Sequence, residues 1–299
     1  MPWKKGQRPK FVREQEATGE IAAVYREIRE DLGLPMVPAP YLVLAAYPHF
    51  LQLHWHAMRP LVQTQEFFHL ADRLRADAYT RVHNYFKLPD LCRHIESLRF
   101  SSGARQELTD TVELFQYKDS LLLLLLATQL QAFDKTVGKG GGGTVPAEHP
   151  VFTERPCYVE EDRAPAPMRK LYDDIKRTTG LPFVTTDHLI LARWPDFLTA
   201  YWQMLKPLTQ SPIYSETQWK LRDTTWEMTT ELPVRIELTC ERLTDEGMAD
   251  DDVASCVRIT ELFTRHLSGM VLNVAAAKIA LEGGTLTDRD EPEEIPSAA

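Results

Sequence analysis

The chain repeats itself at a constant spacing. Ala22-Ala23-Val24-Tyr25-Arg26-Glu27-Ile28 is matched by Lys170-Leu171-Tyr172-Asp173-Asp174-Ile175, and Gly33-Leu34-Pro35-Met36-Val37 by Gly180-Leu181-Pro182-Phe183-Val184. Leu44-Ala45-Ala46-Tyr47-Pro48-His49-Phe50-Leu51 is matched by Leu191-Ala192-Arg193-Trp194-Pro195-Asp196-Phe197-Leu198. Trp55 and Trp202, Pro60-Leu61 and Pro207-Leu208, and Leu74-Arg75 and Leu221-Arg222 follow, all at an offset of 147 residues. Glu113-Leu114-Phe115 and Glu261-Leu262-Phe263 continue the match at 148. A repeat of about 150 residues has the size of a domain, not of a solenoid unit. The expected architecture is therefore a fused pseudo-dimer of two homologous helical domains, with the clearest matches within 17–132 and 164–280. The first repeat is assigned to 1–133, a Gly/Pro-rich linker to 134–163, the second repeat to 164–284 and an acidic tail to 285–299.

Each half reads as helix. Between Glu66 and Phe86 the residues Phe67, Leu70, Ala71, Leu74 and Ala78 recur at three- and four-residue spacing, which lines one helical face. Glu107 to Phe133 predicts a long helix whose centre, Leu121 to Leu126, is six consecutive leucines. A helix apolar all round is buried all round. No segment shows clean alternation of β-branched residues, so the fold class is all-α. Pro48, Pro60, Pro195 and Pro207 are expected to break the helical pattern at matching places. Between the halves, Gly140 to Gly143 predict a flexible linker. A phosphate-binding loop would need a following Lys-Ser/Thr or a preceding strand, and neither is present.

Charge narrows the partners. With 34 Lys+Arg against 43 Asp+Glu the formal net charge is −9, which disfavours nucleic acid and an anionic lipid surface. The uncharged run around the leucines is far shorter than the ~20 residues a spanning helix needs, so no membrane association is expected. The basic N-terminus lacks an apolar stretch behind it and is not read as a secretory signal; a cytoplasmic protein is expected. Cys92, Cys157, Cys240 and Cys256 form no C-x-x-C pair, so no cysteine-based zinc site is expected.

In a duplicated chain, positions where the copies differ are informative, because packing residues should match and a site that works once need not. Asp187 is the main such position; its counterpart is Pro40. Both precede an apolar helix, Tyr41-Leu42-Val43-Leu44 and His188-Leu189-Ile190-Leu191. Proline suits the first helical position and aspartate the first turn, so from composition and spacing alone Asp187 reads first as a helix starter with Thr185 or Thr186 as cap, and only second as a catalytic residue.

The segment Leu181-Pro182 through Thr186-Asp187-His188-Leu189-Ile190-Leu191-Ala192-Arg193-Trp194-Pro195-Asp196-Phe197-Leu198 resembles the hallmark stretch of the group I 2-haloacid dehalogenases, the DehI family. The resemblance covers most of the chain: the duplication, the Tyr-Pro and Trp-Pro turns, the apolar helix, and Phe263-Thr264-Arg265. It implies an all-α enzyme of two related halves in which one aspartate activates water. The water displaces halide from the α-carbon with inversion, without an ester intermediate, and both enantiomers are accepted. The matching residue is Asp187, as general base, with helix-start N–H groups beside it as a seat for the substrate carboxylate. The chain departs from the family pattern in places. An Asn-Tyr-Gly-Asn-Pro-Lys-Tyr stretch reads Gln116-Tyr117-Lys118-Asp119-Ser120-Leu121-Leu122; a Thr-x-x-x-Glu keeps Thr64 but has Phe68; a tryptophan becomes Met36; and the serine before the aspartate becomes Thr186.

The resemblance implies hydrolytic dehalogenation of small 2-haloalkanoic acids, independent of any cofactor or metal. Asp187 is the expected base. Thr64, Gln116, Asp119 and Thr186 are expected in the pocket, with Met36, Phe183 and Phe263 as apolar walls. The partner is a small anionic organic substrate, and a homodimer is the association left open. Two other readings stand beside this one: a relative with changed substrate or chemistry, and a non-catalytic binding protein in which Asp187 only starts a helix. His54-Trp55-His56 does not read as a metal pair, because residues two apart on a helix point away from each other. His94, His149 and His266 lack ligand partners at useful spacing. Asn273, in an apolar helix, is either satisfied by a neighbouring helix or part of the pocket. Ser120 and Ser268 occupy equivalent places without a triad.

Overall fold

Two glycines in the left-handed region stop the first helix of each half. Helix α1 (Gly19–Leu32) ends at Gly33, φ 64°, and α7 (Ala166–Thr179) at Gly180, φ 70°; glycine takes this conformation without a steric penalty. The computed structural model describes residues 9–97, 100–141 and 144–285. α1 is followed by α2 (Ala39–Leu44), α3 (Pro48–Val62), α4 (Gln65–Tyr85), α5 (Leu91–Ser97) and α6 (Ser102–Ala132), and α7 by α8 (Thr186–Leu191), α9 (Pro195–Thr209), α10 (Pro212–Met228), α11 (Cys240–Asp245) and α12 (Asp250–Leu281). The described residues contain no β-strand, only two isolated bridges, so the fold is all-α.

Helix starts follow the sequence offset. α1 to α4 begin at 19, 39, 48 and 65, and α7 to α10 at 166, 186, 195 and 212, each 147 later; α6 and α12 begin 148 apart, at 102 and 250. Long-range hydrogen bonds repeat as well. Tyr25 Oη donates to the Val12 carbonyl at 2.8 Å and Tyr172 Oη to Val159 at 2.8 Å. Trp55 Nε1 donates to Glu27 and Trp202 Nε1 to Asp174. Glu14 accepts from Val37 N, and Glu161 from Val184 N. The repetition thus extends from residue types to tertiary contacts.

The prolines divide into two kinds. Pro48 and Pro195 open α3 and α9, where the missing N–H would have no intrahelical partner anyway. Pro60 and Pro207, expected to break their helices, instead lie inside them. Each sits in the last turn, so only one late backbone hydrogen bond is lost and the chain turns immediately afterwards.

α6 and α12 pack against each other at the centre, with α4 and α10 against both. Enclosed in this way, each of Leu121 to Leu126 is at most 1% exposed. Burying one such side chain contributes about 1.5–3 kcal/mol. The stretch expected to be a flexible linker is docked on both halves along its described part. Val137 and Ile236 exchange backbone hydrogen bonds, Gln65 N donates to Val145 O, Phe152 N to Gly33 O and Val159 N to Leu189 O. At Gly33 the strap passes so close that a Cβ would lie 2.1 Å from the Pro150 carbonyl oxygen. Gly142 and Gly143, and the acidic tail from 286 onward, lie outside the described residues. Among the described residues no helix is long and apolar enough to cross a membrane.

Candidate active site

The short helices α2 and α8 both point their first turns at one cavity over the middle of α6 and α12. Its volume is about 40 Å³, roughly three times what a single water needs. Met36, Pro38, Ala39 and Pro40 line it from the first half, and Phe183, Thr185, Thr186 and Asp187 from the second. Lys118, Asp119 and Leu122 contribute from α6, and Phe263, His266, Leu267 and Met270 from α12. These lists mirror each other. Met36 and Phe183, and Pro40 and Asp187, are 147 apart; Lys118 and His266, Asp119 and Leu267, and Leu122 and Met270 are 148 apart. The cavity is therefore lined by positions that recur 147 or 148 residues apart, and its charges break the recurrence.

Those charges form one buried cluster. Lys118 Nζ donates to Asp187 Oδ1 at 2.9 Å and also to Asp119 Oδ1. The side chains are 6%, 4% and 1% exposed for Lys118, Asp187 and Asp119, which makes this a desolvated ion pair and not a surface bridge. Oδ2 of Asp187 and Oδ2 of Asp119 are buried and have no hydrogen-bond donor in the protein. Burial pushes the Asp119 carboxyl well above the usual carboxylate range; the neighbouring Asp187 charge pushes it further, and Lys118 opposes both. Asp119 is thus the carboxyl of the cluster whose proton is held more tightly than usual. Burial acts to deprotonate Lys118, but the charges of Asp119 and Asp187 outweigh it and the ammonium is held above its ordinary pKa.

The histidines near the cluster are neutral. Burial lowers His188 to about 4, against the pull of Asp187, and its Nδ1 lies 2.6 Å from Thr185 Oγ1. Burial and the neighbouring His188 lower His266 to about 4. His266 also lines an outer recess with Gly180, Gln218 and Arg265, so it stands between the cavity and that recess.

Of the residues expected in the pocket, Asp187, Thr186, Asp119, Met36, Phe183 and Phe263 line the cavity. Thr64 and Gln116 do not. Thr64 caps α4, accepting from Phe67 N at 3.4 Å and donating to the Leu61 carbonyl at 2.7 Å. Gln116 is buried on α6 one turn before Asp119 and short of the cavity. Sequence reasoning missed Lys118, Leu122, His266, Leu267 and Met270. Lys118 carried one available signal: a lone cation beside an acid at the start of a fully apolar helical stretch must find a partner. Asn273 is satisfied elsewhere, accepting from Tyr214 Oη at 2.6 Å. His54 is fully buried and bonded to Gln129 Oε1, whereas His56 is exposed. Ser120 and Ser268 spend their hydroxyls on carbonyls of their own helices.

An all-helical frame enclosing two carboxyls and one ammonium defines a protein with groups able to accept and donate protons away from bulk water. The family model "Halocarboxylic acid dehydrogenase DehI" matches residues 35–188, and the chain belongs to the DehI family. An (R)-2-haloacid dehalogenase of Pseudomonas putida is 24% identical over 274 residues, covering 89% of this chain and 91% of the relative. A configuration-inverting 2-haloacid dehalogenase of Pseudomonas sp. (strain 113) is 20% identical over 291 residues, covering 92% and 91%. A solved structure of D-2-haloacid dehalogenase in complex with L-LA has the same fold, with a TM-score of 0.87 at 24% identity over 91% of this chain and 96% of that one.

Proposed function

We propose that this protein is a hydrolase of carbon–halogen bonds that dehalogenates small 2-haloalkanoic acids. Asp187 is the base. It removes a proton from a water in the cavity while the water oxygen bonds to the α-carbon and the carbon–halogen bond breaks with its electron pair. The products are a 2-hydroxy acid of inverted configuration, halide and one proton. The observation that carries this reading is Asp187 Oδ2: a buried carboxylate oxygen at the cavity, unpartnered by protein, whose other oxygen is fixed by Lys118. A carboxylate oriented through one oxygen and open at the other is arranged to accept a proton. The apolar walls Met36, Phe183, Phe263 and Met270 suit an alkyl group and a departing halogen, and the DehI-family membership supports the same chemistry. The mirrored cavity supports a fused duplication in which one working site is shared by both halves.

The test is release of free halide when purified protein meets 2-chloropropionate or bromoacetate, with the configuration of the resulting lactate determined for each chloropropionate enantiomer. No halide above the rate without protein would leave the changed-chemistry or binding-protein readings in its place.

A further inference from the structure

The cavity has two unpartnered carboxyl oxygens, which would repel an anionic ligand, yet the ligand proposed for it is an anion. Lys118 is the one cation among its described lining residues. An ammonium has three N–H donors. Asp119 Oδ1 and Asp187 Oδ1 take two of them. Nζ also lies over the Phe115 ring, 5.4 Å from its centroid. The raised pKa of Asp119 lowers the negative charge that a monoanion meets on entering. In a desolvated site one ammonium attracts an anion far more strongly than it would in water.

We propose that Lys118 is the residue that seats the carboxylate of the ligand, and that it sets the preference of this pocket for small monoanionic acids. The inference rests on the dehalogenase reading of the same site and deepens it. Lys118 comes from α6, in the first half, and Asp187 from α8, in the second. Substrate is then held by one half and attacked by water from the other, with the ammonium orienting both the ligand and the base. His266, at the position equivalent to Lys118, has its pKa lowered to about 4 by burial and so offers an anion at most a neutral N–H and no charge at neutral pH. The first-turn N–H groups of α8 are the competing seat, and the test separates the two.

The probes are 2-methylpropanoate, unreactive because a methyl group replaces the halogen, and its uncharged amide. Their binding is measured by calorimetry at one pH on the wild type, Asp119→Asn, Lys118→Met and Lys118→Met/Asp119→Asn. The wild type is expected to prefer the acid over the amide by about 10- to 100-fold, the worth of a hydrogen bond to a charged group. Asp119→Asn should keep or raise that preference, because a competitor for Nζ is weakened. Both Lys118→Met proteins should bind acid and amide within about threefold of each other. On a 2-haloacid, Lys118→Met should raise KM more than it lowers kcat, and Lys118→Arg should recover part of the loss.

A wild type that does not discriminate acid from amide overturns the proposal, as does a preference that survives loss of Lys118. The second result would place the carboxylate on α8. If neither Lys118→Met protein folds, Asp119→Asn still decides, since a weaker preference for the acid in that variant is the opposite of what the seat requires. Acid-selective binding without halide release would leave Lys118 as the seat and refute the dehalogenase reading. Unaltered KM and turnover in the Lys118 variants would do the reverse.

Discussion

Asp187→Asn separates catalysis from support at one atom. The amide keeps the size of the carboxylate, and its oxygen can still accept from Lys118 Nζ, which lies 2.9 Å from Asp187 Oδ1 in the wild type. Proton acceptance at Oδ2 is lost. General-base catalysis is worth about 10²–10⁴ in rate, or about 3–5 kcal/mol of barrier, so turnover should fall by that factor. The stability cost follows from the cluster. Removing one partner of a buried pair costs about 3–5 kcal/mol when the other charge is stranded. Lys118 is not stranded, because Asp119 remains bonded to it. Loss of the Asp187 charge also removes one cause of the raised Asp119 pKa, second to burial, so Asp119 ionises more readily beside Lys118. The net cost should be nearer 1–2 kcal/mol, comparable to one buried hydrogen bond to a charged group. For a chain of this size that lowers Tm by about 2–4 °C per kcal/mol. Halide release and thermal unfolding are measured on the same preparation, and the carboxylate is followed by mass in a single turnover in ¹⁸O-water. A fully active, equally stable Asp187→Asn would refute the reasoning and leave Asp187 as a helix starter. Label in the Asp187 carboxylate would show an ester route instead.

Three further outcomes follow from the same geometry. The Asp119 pKa is raised in the fold above its unfolded value of about 4, so its contribution to stability falls as pH rises beyond that value; Asp119→Asn should gain stability over the wild type in urea at pH 7 and show no gain at pH 3.5. His54, His188 and His266 are neutral in the fold with pKa values of about 4 and charged below about 6.5 when unfolded. Each therefore removes up to roughly 3 kcal/mol as pH falls from 6.5 to 4, and a urea midpoint that does not drop over that window would contradict the burial argument. Thr64→Ala should cost about 1 kcal/mol of stability through the lost cap of α4 and leave kcat unchanged; a tenfold loss of kcat at full folding would put Thr64 back in the site.

Much of this protein is legible in its residues alone because the relevant signals are local. Three- and four-residue spacing marks α4, six leucines mark the centre of α6, and Gly33 and Gly180 mark where helices stop. The constant offset predicts paired helix starts, and the mismatch of Pro40 and Asp187 singles out the residue with the open carboxylate oxygen. What spacing could not supply is which distant side chains meet. Thr64 looked like a pocket residue by resemblance, but its hydroxyl is consumed by its own helix start. Pro60 and Pro207 looked like breaks, but a proline in a last turn disturbs too little to end the helix earlier. Lys118 and Asp187 are 69 residues apart, and only the tertiary fold brings Nζ and Oδ1 to 2.9 Å. Whether an aspartate is an acid or a carboxylate depends on burial and on charges contributed by other helices. Sequence thus determined the helices, their repetition and the asymmetric aspartate, whereas the raised pKa of Asp119 and the pairing of Lys118 were decided by tertiary structure, because electrostatics acts through space and not along the chain.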